Sequence, residues 1–307
     1  MTQTPSFFQS LKNPIFARLY LAQTVNLIGD ALTWLGLALL AFELAKEESG
    51  VILSGALTLR VTAFVVLSPI AGAIADRFDR KKIMVITHLA RMMIVCLLPF
   101  VTKSWQIYVI VLGLNVFYAF FTPTYTATIP LVTGKEEYQK AIALSSATYQ
   151  LLGVLGPGLA GSIAVFVGTR QVFFLDGITF LIAAILIITL PGELMVNQST
   201  DNVKTVTKTL KDIKIGTFSL FTDPQIRYAL LMQLVAAISG AGILVNTVGY
   251  VQGNLGLGKV EYGWVMATFG MGATIASVAL GNINRKYSQT KLITFGAIMI
   301  TLTLIIC

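Results

Sequence analysis

The chain has 307 residues, 55% of them hydrophobic and 12% charged, with a mean hydropathy of +0.79. That charge fraction is about half of what a soluble domain carries, and apolar runs of about 20 residues recur along the whole length, so the sequence describes a polytopic membrane protein. The net charge of +8 implies no nucleic-acid partner; the position of the bases decides their meaning.

The first residues, MTQTPSFFQSLKNP, are polar and lack the short apolar core of a signal peptide. Nine spans follow in chain order: Phe16–Phe42, Val51–Ala75, Ile83–Val101, Trp105–Tyr125, Ala141–Val167, Val172–Leu190, Tyr228–Val251, Trp264–Asn282 and Leu292–Cys307. Runs so long and so continuously apolar predict helices rather than barrel strands. With a cytoplasmic N-terminus, sixteen of the 22 Lys and Arg residues fall on inside segments and four outside, leaving Arg60 and Arg91 within the membrane. A multi-pass protein of the bacterial inner membrane with this orientation is therefore expected. Residues 1–190 form a six-helix half, 191–226 a cytoplasmic loop and 227–307 three helices of a second half. In the loop, Lys204, Lys208 and Lys211 are spaced for one helical face along the inner membrane surface.

Each ionisable residue inside a membrane is a functional candidate, because burying it is expensive. Asp30 lies about 20 Å from the inner end of the first span, and Arg60 about 14 Å from the outer end of the second. Their depths are similar, so both are expected to face one cavity and to act as a proton-coupling pair. A nearby cation favours the charged carboxylate and burial the neutral acid, and a group balanced between the two can bind and release a proton. Arg91 is about two turns inside the third span. It is read as snorkelling to the headgroups or bridging to Asp76 or Asp79. Asp176, near the outer end of the sixth span, is read as an outer-gate residue or a plain interfacial acid, and Glu43 as solvated. His88 and Met92-Met93 are read as packing residues and no metal site is expected, nor a disulfide from Cys96 and Cys307.

Gln23 and Asn26 in the first span, with Asn115, Tyr118, Thr122, Thr124 and Tyr125 in the fourth, form a polar and aromatic series suited to a substrate cavity. Gly153, Gly156, Gly158 and Gly161 give the fifth span a small-residue face, and Pro157 favours a kink. No phosphate-binding Walker loop and no nucleophile–base constellation is present, so neither an enzyme nor a cofactor is indicated. The expected partners are a small-molecule substrate, protons and lipid, with the chain a monomer.

The segment GAIADRFDRKK (Gly72–Lys82) recurs faintly as GNINRKYSQTK (Gly281–Lys291), each after the second helix of its half, which suggests two parallel halves. The first copy resembles the loop signature of the major facilitator superfamily of secondary transporters through Gly72, Asp76, Arg77, Arg80 and Lys81, with Asp79 where many members have Gly. GVLGPGLAG resembles the antiporter motif of drug–proton exchangers at Gly153, Gly156, Pro157 and Gly161, although Ala160 replaces a usual Gly. NPIFARLYLAQ, Gly29-Asp30, Leu59-Arg60 and FLDGITFLIA resemble the macrolide-exporter branch. The opening helix also resembles nickel-resistance exporters. The resemblance implies an all-α bundle of six plus six helices, of which about nine spans are present, so a C-terminal truncation is expected. It implies proton-coupled export of drug-like molecules. Divalent-metal export and a truncated, non-transporting membrane protein are the alternatives. It also implies that Asp76 and Arg77 form a latch with a helix end of the second half, the carboxylate being drawn to a helix N-terminus.

Overall fold

The computed structural model describes residues 9–192, 194, 222, 224–266, 268–269, 271–272, 294–296 and 298. The expected inner-surface helix at Lys204–Lys211, the repeat at Gly281–Lys291 and most of the eighth and ninth spans lie outside these residues. By contacts, the chain divides into one unit of Met1–Met195 with Val245–Ala276 and another of Val196–Leu244 with Ser277–Cys307. The described residues of both are helical or connecting, with no strand among them. Within the second unit, the Tyr228 and Thr294 hydroxyls share a hydrogen bond.

The first unit is built from α1 (Pro14–Ala45), α2 (Ser49–Ala75), α3 (Arg80–Val95), α4 (Ser104–Val167) and α5 (Val172–Ile188). α6 (Pro224–Val248) follows and runs into a π-helical turn, Gly249–Asn254. Residues 259–266 are helical again. At 32 residues α1 is about 48 Å long and exceeds the thickness of a hydrocarbon core, as do α2 and the first limb of α4.

Local chemistry sets the ends of these helices. Asn13 accepts hydrogen bonds from the backbone N–H groups of Ile15 and Phe16, and Pro14 stands in the first turn, where its missing donor costs nothing. The same Asn13 donates to the Val132 carbonyl at 2.7 Å, pinning the start of α1 to α4. At the start of α3, Asp79 accepts from Lys81 N–H at 3.0 Å and from Leu194 N–H at 3.1 Å.

The fourth and fifth expected spans are the two limbs of α4, which meet at a kink at Gly134, where the backbone is non-helical with φ +70°. That backbone region is open to glycine at little cost. The second limb bends again by 48° between Glu137–Gly153 and Leu155–Val167, next to Pro157.

Faces of α1, α3, α4 and α5 converge on a core that includes Phe16, Leu19, Met84, Phe121, Leu144 and Ile187. The opposite faces carry exposed Val61, Val65, Ile86, Val109 and Phe166, as lipid contact requires. At Gly29, α1 lies close against α5. A Cβ there would stand 2.0 Å from Thr179 Oγ1 and 2.1 Å from Asp176 Oδ1.

Gly29→Ala should therefore drive α1 and α5 apart and cost about 1–3 kcal/mol, the usual range for overpacking. Thermal unfolding of the purified protein in detergent reads this as a lowered midpoint. Gly72→Ala, where nothing lies within 4 Å of the added carbon, should leave the midpoint in place.

Candidate functional site

A cavity opens between α1, α2, α3, α4 and α5, with about 360 Å³ of unfilled space, open solvent included. Its charged lining is Asp30, Arg60, Arg91 and Asp176, and its rings are Trp34, Tyr118 and Phe180. Two acids and two bases thus meet at the centre of a helical bundle whose outer surface is apolar.

The centre of this group is an ion pair. Arg91 on α3 reaches across to Asp30 on α1 at 2.5 Å, with the Arg91 side chain 5% exposed and that of Asp30 18% exposed. Asn26, one turn before Asp30, bridges them. Its amide oxygen accepts from Arg91 at 3.1 Å, and its amide nitrogen donates to Asp30 at 3.4 Å. The four-residue spacing from Asn26 to Asp30 places both on one helical face. The guanidinium of Arg91 also lies over the Phe180 ring at 4.2 Å. Arg91 is therefore committed inside the bundle. The expected snorkelling, or bridging to Asp76 or Asp79, is replaced by this pairing because α3 directs the side chain toward α1.

Arg60 faces the same cavity but not the same partner. Its guanidinium lies 4.8 Å from the Trp34 ring and 5.6 Å from that of Tyr118. Asp30 and Arg60 thus line one cavity, as their similar depths led one to expect, while the ion-pair contact to Asp30 is made by Arg91.

Asp176 is 1% exposed and belongs to the cavity lining, not to an interface with water. It sits in the second turn of α5, directly over Gly29, where α1 can approach its carboxylate. Thr33 donates to one oxygen at 2.5 Å and Thr179 to the other at 2.9 Å. Glu43, near the end of α1, pairs with Arg170 at 3.0 Å.

Of the polar series, Asn115 and Tyr118 line the cavity, and Asn26 joins it through Arg91. The Thr122 and Thr124 hydroxyls donate back to their own helix, to the Tyr118 and Phe120 carbonyls. Tyr125 lies in the apolar core and bonds the Ser145 hydroxyl at 3.2 Å. Among the described residues, no donor reaches the buried Gln23 Oε1. Trp34, Thr33, Phe180 and Thr179 were not singled out from sequence. The i, i+3 and i, i+4 spacing of Asp30, Thr33 and Trp34 was the available signal for two of them.

His88 is fully buried against the Phe121 and Phe180 rings. Among the described residues, no three His, Cys, Asp or Glu side chains gather in a way that could hold a metal ion.

The loop between α2 and α3 divides its charges. Arg80 is buried and donates to the Ala75 carbonyl at 3.0 Å, the Ala127 carbonyl at 2.6 Å and the Asp76 carboxylate at 3.1 Å. Lys81 donates to the Leu190 carbonyl at 2.6 Å. Asp76 and Arg77 are exposed at the helix end, and Gly72 is uncrowded. In the second limb of α4, Gly156 packs so closely that a Cβ would stand 2.7 Å from that of Ala31. Gly161 meets the backbone of Gly263, while Gly153 is exposed and touches nothing. Pro157 lies between the two contacts.

A family profile described as Major Facilitator Superfamily matches residues 19–307. The chain belongs to the major facilitator superfamily. It is a multi-pass membrane protein of a transporter family, not an enzyme. It is 28% identical over 286 residues to the uncharacterized MFS-type transporter YfiS of Bacillus subtilis, covering 90% of this chain and 65% of that protein. It is 26% identical over 262 residues to the multi-drug resistance efflux pump PmrA of Streptococcus pneumoniae, covering 82% and 62%. To the macrolide efflux protein A of Streptococcus pyogenes it is 26% identical over 175 residues, covering 55% and 43%. The chain thus spans less than two thirds of the length of these relatives. Among solved structures, a bacterial homologue of the human lysosomal transporter Spinster superposes with a TM-score of 0.65 at 14% identity, covering 92% of this chain and 64% of that one. The nucleoside transporter NupG (D323A mutant) gives 0.64 at 15%, covering 89% and 69%. Both similarities concern the fold.

The ion pair can be tested by a double-mutant cycle. Arg91→Met alone strands Asp30 in a low-dielectric site and should cost about 3 kcal/mol. Asp30→Asn combined with Arg91→Met should cost clearly less than the sum of the single changes. Detergent-solubilised unfolding midpoints check this; additive losses would mean that the two groups do not depend on each other.

Proposed function

We propose that this chain forms the transport core of a proton-driven secondary exporter of amphipathic small molecules, with a cytoplasmic N-terminus in a bacterial inner membrane. The observation that carries the reading is the Asp30–Arg91 pair on the wall of a central cavity with aromatic sides. The efflux relatives support the class of transport.

The proposed chemistry needs only these residues. With water excluded, the carboxylate of Asp30 is held charged by Arg91 and positioned by Asn26. Water reaching the cavity from the proton-rich side delivers a proton to Asp30, which weakens its hold on the guanidinium. Arg91 then turns into the cavity and displaces the substrate, which lies there against Trp34, Tyr118 and Phe180 with Asn115 supplying a polar contact. Loss of the proton to the other side restores the pair. The carboxylate thus exchanges one positive partner for another, so proton and substrate states are coupled through a single arginine.

The other motifs have supporting roles in this proposal. Arg80 is rooted in the bundle and holds the helix end that presents Asp76 and Arg77 to a latch with the second half. Gly156, against the Ala31 side chain, and Gly161, against the Gly263 backbone, supply close contacts around Pro157 in the antiporter-type segment.

Asp30→Asn should abolish dissipation of an imposed pH gradient by added dye in sealed proteoliposomes, and equilibrium dye binding should lose its dependence on pH. The measurement uses anionic, neutral and cationic amphipathic dyes in turn. Proton-linked flux retained by Asp30→Asn would remove Asp30 from the coupling role.

A further inference from the structure

Arg60 stands apart from the other charges of the cavity. It is the twelfth residue of α2, about 16 Å along the axis from Ser49 and about 22 Å from Ala75. A charge placed this far from both helix ends is a functional candidate. The two acids of the cavity are engaged elsewhere: Asp30 with Arg91 and Asn26, Asp176 with Thr33 and Thr179. Among the described residues, no carboxylate lies within ion-pair distance of Arg60 and no acceptor takes a hydrogen bond from it. What does contact it is aromatic, with Trp34 and Tyr118 beneath the guanidinium and Tyr149 nearby.

This arrangement has a chemical meaning. A cation–π contact uses none of the five N–H donors of a guanidinium. The rings hold the group in the cavity without neutralising its charge. A guanidinium in a membrane cavity whose donors the protein leaves unspent suits an anion, and its fork fits a planar carboxylate or the oxygens of a sulfonate or phosphate by two parallel bonds. Val111 and Leu114, on the same wall, suit an apolar body attached to that anion.

We infer that Arg60, held by Trp34 and Tyr118, is an anion-binding subsite of the cavity, and that the ligand it takes is an amphipathic molecule with one carboxylate, sulfonate or phosphate group. The inference rests on the proposal that this cavity is the substrate site. It separates the two arginines by task. Arg91 serves the carboxylate of the protein, and Arg60 serves the anionic group of the ligand. A phospholipid phosphate has the same chemistry and could enter from the bilayer, so the test separates it from a free solute.

The experiment measures equilibrium binding of three probes with one aromatic body: naphthaleneacetate, the neutral naphthaleneacetamide and the cationic naphthylethylammonium. The chain is placed in nanodiscs of phosphate-free galactolipid, and tryptophan fluorescence is the readout, with Trp34→Phe identifying the cavity signal. The acid should bind at least about tenfold more tightly than the amide, the scale of one hydrogen bond to a charged group. Arg60→Gln should abolish this preference by weakening the acid and sparing the amide. Arg60→Lys, which keeps the charge but loses the fork, should retain a reduced preference and serves if the Gln variant does not fold. Equal binding of acid and amide to the unaltered chain, or a preference that survives Arg60→Gln, overturns the anion subsite while leaving the cavity as a binding site. Failure of all three probes to produce a Trp34-dependent signal overturns both. Repeating the titration in phosphatidylglycerol nanodiscs identifies the source: loss of acid binding there, together with a co-purifying lipid that Arg60→Gln releases, assigns the subsite to lipid phosphate.

Discussion

A charge in the middle of a hydrocarbon slab must be answered by another charge or by fixed dipoles, and in this chain that constraint gathers the helices around Arg91. Its guanidinium binds the Asp30 carboxylate and the Asn26 amide on α1 while its face rests on Phe180 of α5. One side chain from α3 thus specifies how α1 and α5 stand against it. The apolar core gives the bundle most of its cohesion, but leucine and phenylalanine pack in many registers. A buried ion pair has one geometry at which its desolvation is offset, and this selects among them.

The second acid shows a different solution to the same problem. Asp176 has no guanidinium; two threonine hydroxyls supply its hydrogen bonds, one from its own helix and one from α1. That arrangement exists only because Gly29 has no side chain. The glycine makes room for a carboxylate to lie against the backbone of the neighbouring helix. Four charged groups share the cavity, yet each has a different setting: Asp30 and Arg91 paired, Asp176 capped by hydroxyls, Arg60 set over rings.

Hydropathy and charge made the elements legible. Helical spans one to six are found within a few residues of the expected places, and the intramembrane charges were visible as exceptions to an apolar background. The partners of those charges were not legible. Depth along a helix can be counted from the sequence, so Asp30 and Arg60 were placed at one level; azimuth relative to a neighbouring helix depends on tertiary packing, and that gave Asp30 to Arg91. Asp176 was read as interfacial because it lies one turn into its span, a judgement about depth that took no account of Gly29 and Thr33 on α1. Thr122 and Thr124 looked like ligand-binding groups by composition, but a hydroxyl in a membrane helix has its own carbonyls within reach and uses them.

The crossing of Gly161 with Gly263 carries a mechanical consequence. Helices normally mesh like gears, with rows of side chains from one seated between rows of the other, and such a junction resists turning because teeth must be lifted before they can slip. Where two glycines face one another, both wheels lack a tooth at the same point. A Cβ built on Gly161 would stand 2.8 Å from the Gly263 Cα, so the joint is tight along the line between the two segments. It offers little torsional grip about that line. A contact of this kind resembles a bearing inside one unit: close in separation, with few teeth to resist a turn.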